Sequence, residues 1–258
     1  MKQIILASIL FVLLFQSCKK EDGHLNVETF KGEPVNVGSG KVWSWIEMGS
    51  DGQTKTLGIT FEEAALINLP AGNGDTAEYE YEPMLPSGKK ASPFTHIVAE
   101  WNPHGHPPFG IYDKPHFDLH FYLMDEADRL QIPPYETDSS GFLQYPSIGY
   151  LPTTYIPIPG GVPEMGAHWA DRTSPELASA NPQPFSQTFI YGTYKGNVTF
   201  YEPMATLAFL TITTSYIRDI PQPGKWSKDG YYPTKLSYKK TDGTMQIALY
   251  DFVYHAKS

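Results

Sequence analysis

The chain has 258 residues, a formal net charge of −9 and one cysteine. That charge argues against nucleic acid, which requires a basic footprint, and disfavours anionic lipid surfaces; a single cysteine leaves no internal disulfide and no paired-thiol chemistry. The 23 prolines and 22 glycines suit many short strands joined by turns, in one large β domain or two small ones.

Residues 1–17, MKQIILASILFVLLFQS, read as a signal peptide. Lys2 supplies the basic start, and an apolar run follows from Ile4 to Phe15. The run is shorter than the roughly 20 apolar residues a membrane-spanning helix needs. Ser17 directly before Cys18 resembles the lipobox of bacterial lipoproteins. In those proteins the peptide is cut before the cysteine, which then carries the lipid. The Lys19-Lys20-Glu21-Asp22 stretch that follows resembles the surface-export signal of Bacteroidetes-type lipoproteins. The expectation is an outer-membrane lipoprotein of the cell envelope, held to the membrane through Cys18 and exposed at the surface.

Residues 18–40 are polar and aperiodic and read as a tether; residues 41–258 are expected to form a single β-rich domain. Lys41–Met48 (KVWSWIEM) predicts a strand, SDGQ a turn, and Leu57–Phe61 the returning strand. Glu62–Leu69 predicts a short helix stopped by Pro70. Ala77–Leu85 alternates like a strand. Phe94–Trp101 predicts another, with His96, Val98 and Glu100 on one face. His116–Met124 is the clearest strand of the chain, and Asp125–Gln131 predicts one or two helical turns. Residues 132–187 are rich in Pro, Gly, Ser and Tyr; so long a stretch without clear strands is uncommon and often functional. Gln187–Leu210 reads as a hairpin turning at Gly196-Asn197, and two or three strands follow from Tyr216. Long helical periodicity is absent, so the predicted fold class is all-β, a mainly antiparallel sandwich or barrel with one or two short helices.

Four of the eight histidines lie within His104–Tyr122, HGHPPFGIYDKPHFDLHFY. On a strand, Phe117, Leu119, Phe121 and Leu123 form an apolar face, and His116, Asp118, His120 and Tyr122 the opposite one. Residues i and i+2 stand about 7 Å apart and i and i+4 about 13 Å. Asp118 with one histidine is therefore the easy chelate, and both histidines share an ion only if their rings lean inward or the strand bends. The expected metal ligands are His106, His116, His120, His168 and Glu202 around one ion, with Asp118 and His104 outside that set, orienting a ring. Imidazoles with a carboxylate and no thiolate suit Zn, Fe, Mn, Cu or Ni.

The series GHPP, PHFDLHFY, GAHWAD and FIYGTYKGNVTFYEPM resembles an uncharacterised bacterial family of unknown function, the TTHB-type domain, over roughly residues 40–215. The resemblance implies a β-rich envelope or secreted domain able to form a homo-oligomer. It carries over His106, His116, Asp118, His120, His168 and Glu202 as the candidate site, and it supplies no activity. HGH, Glu202 and His168 also echo the cupin ligand set, as an analogy only: the prolines make HGH a loop, and the order of glutamate and histidine is reversed.

The sequence lacks GxSxG, P-loop and dinucleotide fingerprints. Two functions follow from different features. One is a lipid-anchored envelope protein with a histidine-rich transition-metal site, acting as a metal-dependent hydrolase or oxygenase on a small molecule. The other is a surface-exposed structural or carbohydrate/partner-binding module without catalysis, motivated by 17 tyrosines and the aromatic segment Tyr135–Tyr155, whose rings could stack on a glycan.

Overall fold

The structure, a computed structural model, describes residues 26–73, 77–91 and 93–258. The expected signal peptide, Cys18 and the residues around it lie outside the described residues. In chain order the strands are β1 (Val27–Lys31), β2 (Val35–Val37), β3 (Gly40–Gly49), β4 (Thr54–Glu62), β5 (Tyr79–Tyr81), β6 (His96–Asn102) and β7 (His116–Tyr122). They continue with β8 (Tyr155–Pro157), β9 (Ala167–Asp171), β10 (Gln187–Tyr194), β11 (Asn197–Thr206), β12 (Ser215–Asp219), β13 (Gly230–Thr241) and β14 (Thr244–His255). Three short helices accompany them: α1 (Glu126–Arg129), α2 (Ser139–Leu143) and α3 (Leu207–Ile212).

The strands form two antiparallel sheets. The first has the order β1-β3-β4-β14-β13-β12, with β2 also on β3; the second has the order β5-β6-β7-β11-β10-β9-β8. Neither sheet closes on itself, so of the two predicted architectures the chain adopts the sandwich. The inner faces meet in one core. Val42, Ile46, Leu57, Ile59 and Phe61 of the first sheet pack with Phe117, Leu119, Phe121 and Tyr201 of the second. Phe117 carries much of this contact, with its ring 5.0 Å from that of Phe61 and 5.0 Å from that of Trp101.

Several sequence expectations need correction. Residues 27–37 are not tether: β1 pairs along β3 from Val27↔Gly49 to Lys31↔Trp45, and β2 covers its start. These segments are polar because both lie at the edge of the sheet, where mostly exposed residues satisfy their backbone by pairing. Only Tyr79–Tyr81 of the expected strand Ala77–Leu85 is extended, and Pro83 cannot donate to a ladder. The hairpin of β10 and β11 turns at Lys195-Gly196, one residue earlier than expected. Both residues have positive φ, 46° and 77°, which suits the twist of a tight hairpin. Its second strand stops at Thr206, whose hydroxyl accepts a hydrogen bond from the Phe209 amide at 3.1 Å and starts α3. Side-chain capping thus diverts LAFLTI from strand to helix.

Phe117→Ala removes a fully buried ring from the centre of the sandwich. The expected outcome is a loss of about 3–5 kcal/mol in urea unfolding, the usual cost of deleting a buried phenyl ring.

Candidate metal centre

The outer face of the second sheet holds the polar residues. Register places them in rows: Asn102 pairs with His116, Glu100 with Asp118, and Val98 with His120 between β6 and β7. Across β11, β10 and β9, Met204 pairs with Asp118, Glu202 with Ile190, and Gly192 with His168. This face is not left to water. Tyr112 and Phe185 from the loops on either side, with Met165, close over it and pack with Val98, Ile190, Phe200 and Met204. Every residue of β7 is therefore buried, polar face included. What remains open is a cavity of about 310 Å³, bordered by Glu78, Glu100, His106, Asp118, His120, His168 and Glu202 together with apolar residues of the 158–165 loop.

Two groups of donors converge on this face. The first is His120, His168 and Glu202, with one donor atom from each lying within 4.8 Å of the others. His120 Nε2 is 3.7 Å from Glu202 Oε1, and His168 Nε2 is 3.5 Å from Glu202 Oε2. These separations are too long for good hydrogen bonds. They lie close to the roughly 3.3 Å edge of a tetrahedron with bonds of about 2.0 Å. His120 is fully buried, and neither ring nitrogen has a hydrogen-bond partner. Its Nδ1 lies 3.6 Å from Glu100 Oε1, also too far for a good hydrogen bond. Burial pushes the His120 imidazole down to about 3 and the His168 imidazole down to about 4, so both are neutral bases at neutral pH. Burial also pushes Glu202 well above the ordinary carboxylate range, aided by the charge of Asp118. No lysine or arginine among the described residues pairs with Glu202. A divalent cation would supply the missing charge and the missing partners at once.

Gly192 helps build this group. A Cβ there would sit 2.0 Å from the Phe200 ring, so the absent side chain lets that ring lie flat over β10. Phe200 packs edge-on against His120, with centroids 4.7 Å apart, and lies 5.1 Å from His168. The two imidazoles are thereby held from one side while their nitrogens face Glu202.

The second group is His106, His116 and Asp118, again with donor atoms within 4.8 Å of one another. His106 Nε2 is 3.0 Å from Asp118 Oδ2, and His116 Nε2 is 3.0 Å from Oδ1. Burial opposes a charge on either partner of the His106–Asp118 pair, but their mutual attraction prevails. It raises His106 to about 9, and with His116 it holds Asp118 far below the carboxylate range.

These positions revise the expected site. His116 and His120 fall in different donor groups, in keeping with the strand spacing that makes a joint chelate difficult. Asp118 is a member of a donor group and not only a residue that orients a ring. His104 is exposed and belongs to neither group, because Gly105 at φ 74° reverses the chain and turns only His106 inward. His106, His120, His168 and Glu202 border the cavity, and His116 does not. Glu100 was missed as a site residue. Its signal was present in the alternation of FTHIVAEW, where it shares a face with Val98, but only pairing with β7 shows that the face is covered. Comparison with known protein families, with curated proteins and with solved structures finds no match to this chain.

His96, on the same face, belongs to neither group. Its ring stacks on Tyr122 with centroids 4.6 Å apart, and its Nδ1 lies 2.9 Å from the Thr95 hydroxyl. Burial lowers its pKa from 6.5 to about 4. The unfolded chain therefore takes up this proton before the folded one does, and the stability associated with a neutral His96 is lost as pH falls from 6.5 towards 4. His96→Phe keeps the stack and removes the titration. Its urea midpoint is expected to fall less steeply than that of the wild type over this window, and equal slopes would refute the assignment.

Proposed function

We propose that the protein is a lipid-anchored component of the bacterial cell envelope that holds a divalent transition metal at His120, His168 and Glu202 and uses it on a small molecule. The observation that carries this reading is the trio itself, with His120 and Glu202 buried and His168 half-buried. Two neutral imidazoles and a carboxylate without a cationic partner meet at the wall of a cavity of about 310 Å³. Three protein ligands leave a coordination position open, the pattern of catalytic metal sites as opposed to closed structural ones. A Zn, Fe, Mn, Cu or Ni ion there would activate water or polarise a bound substrate. The apolar 158–165 loop would limit access of bulk water.

The binding-module reading has less support. Of the aromatic segment Tyr135–Tyr155, Tyr135 packs on Phe142, and Tyr155 is buried with its hydroxyl donating to the Phe189 carbonyl. Tyr150 donates to the Ser258 carbonyl, which leaves Tyr145 as the exposed ring. A single exposed tyrosine is a small platform for a glycan.

The lipid anchor rests on the apolar run Ile4–Phe15 and the Ser17-Cys18 pair that follows it. No helix among the described residues is long and apolar enough to cross a membrane. The expected outcome is that the wild type sediments with membranes and that Cys18→Ser releases it; release of neither, or of both, would reject the anchor.

The metal reading is tested on protein purified without a histidine tag, equilibrated with Zn²⁺ or Mn²⁺ and desalted. Elemental analysis is expected to show bound metal, and His168→Ala is expected to remove one ion per chain without changing the far-ultraviolet dichroism. A wild-type chain that stays metal-free would sink the proposal.

A further inference from the structure

We propose that His106, His116 and Asp118 form a second divalent-cation site, so that the chain carries two ions side by side along β7. This deepens the metal reading above, since both donor groups border one cavity, but the second site stands on its own donors.

The argument is an inventory of protons and lone pairs. His106 Nδ1 lies 2.8 Å from the Pro107 carbonyl, and His116 Nδ1 lies 2.6 Å from the Lys114 carbonyl. A carbonyl only accepts, so each Nδ1 carries a hydrogen and donates it. In the neutral ring Nε2 is then a bare lone pair, and both Nε2 atoms point at Asp118, whose oxygens are also acceptors. Asn102 Nδ2 donates to Asp118 Oδ2 at 2.9 Å and fixes the carboxylate plane. His116 Nε2 and Asp118 Oδ1 are buried and have no hydrogen-bond partner.

Protons alone resolve this arrangement poorly. A proton on His106 Nε2 makes its 3.0 Å hydrogen bond to Asp118 Oδ2 but leaves the buried His116 Nε2 lone pair 3.0 Å from Asp118 Oδ1, both without a partner. Two protons place two imidazolium ions against one carboxylate, one of them on His116, which is fully buried. A divalent cation accepts all three lone pairs at once. The 3.0 Å separations match the roughly 3.0 Å edge of an octahedron with metal–ligand bonds of about 2.1 Å. Each ligand already has the partner that orients it in metal sites: a carbonyl behind each imidazole and an amide beside the carboxylate.

Asp118 and His120 are next neighbours on the strand face, about 7 Å apart at Cα. Each group has its own donors, and His106, Asp118, His120, His168 and Glu202 all border the cavity, so a molecule there would meet both cations.

The test is metal stoichiometry of the untagged chain equilibrated with Zn²⁺, and separately with Mn²⁺, then desalted. The wild type is expected to retain two ions per chain. His106→Gln lies on a half-buried loop and spares the core, and it is expected to retain one, with affinity for the other reduced at least tenfold. Asp118→Asn is expected to do the same, and His168→Ala to lose the other ion. The double variant His106→Gln/His168→Ala should retain none. If Asp118→Asn does not fold, His106→Gln decides.

A wild type that holds one ion, lost in His168→Ala but kept in His106→Gln, would overturn the second site and leave the first intact. Two ions kept in His106→Gln would overturn it as well. One ion lost in His106→Gln but kept in His168→Ala would support the second site and reject the first. No ion in the wild type would reject both.

Discussion

Burial of both faces of one strand, one apolar and one carrying charge-bearing groups, governs the structure around the site. β7 presents Phe117, Leu119 and Phe121 to the sandwich core and His116, Asp118 and His120 to a second, loop-covered layer. The first face is stabilised by removal of apolar surface from water. The second loses hydration of imidazoles and carboxylates, a cost that must be offset locally by hydrogen bonds or counter-charge. Backbone carbonyls, Asn102 and Glu100 address the far sides of these groups. Their near sides converge in two places.

The covering layer explains why those near sides face each other. Tyr112 and Phe185 come from loops rich in proline and glycine, and Met165 ends another such loop. Together with Phe200 they cover this face and leave a cavity against the apolar 158–165 loop. The long stretch 132–187 is thus partly a lid over the sheet. It also contributes β9, which brings His168 to the same face, far in sequence from the histidine-rich segment.

Much of the fold was legible in the sequence. Period-two alternation identified β6 and β7, the Gly-containing turns separated β3 from β4 and β10 from β11, and the absence of helical periodicity gave the all-β class. The misreadings have physical causes. β1 and β2 are edge strands, whose exposed polar residues resemble a tether. Thr206 caps a helix through a side-chain hydrogen bond that competes with strand extension. Lys195 adopts a positive φ that a turn centred on Gly196-Asn197 does not anticipate.

For the site, the sequence by itself determined which side chains share a face of β7 and that His116 and His120 lie too far apart for an easy joint chelate. Both follow from the fixed rise and two-residue period of an extended chain, which depend only on near neighbours. Tertiary structure alone decided how the donors divide. Pairing of β6 with β7 set Glu100 behind His120 and Asn102 beside Asp118; the order β7-β11-β10-β9 delivered Glu202 and His168; and the turn at Gly105 chose His106 over His104. Those groupings depend on strand pairing and loop closure between segments tens of residues apart, where local pattern carries no information about which faces will meet.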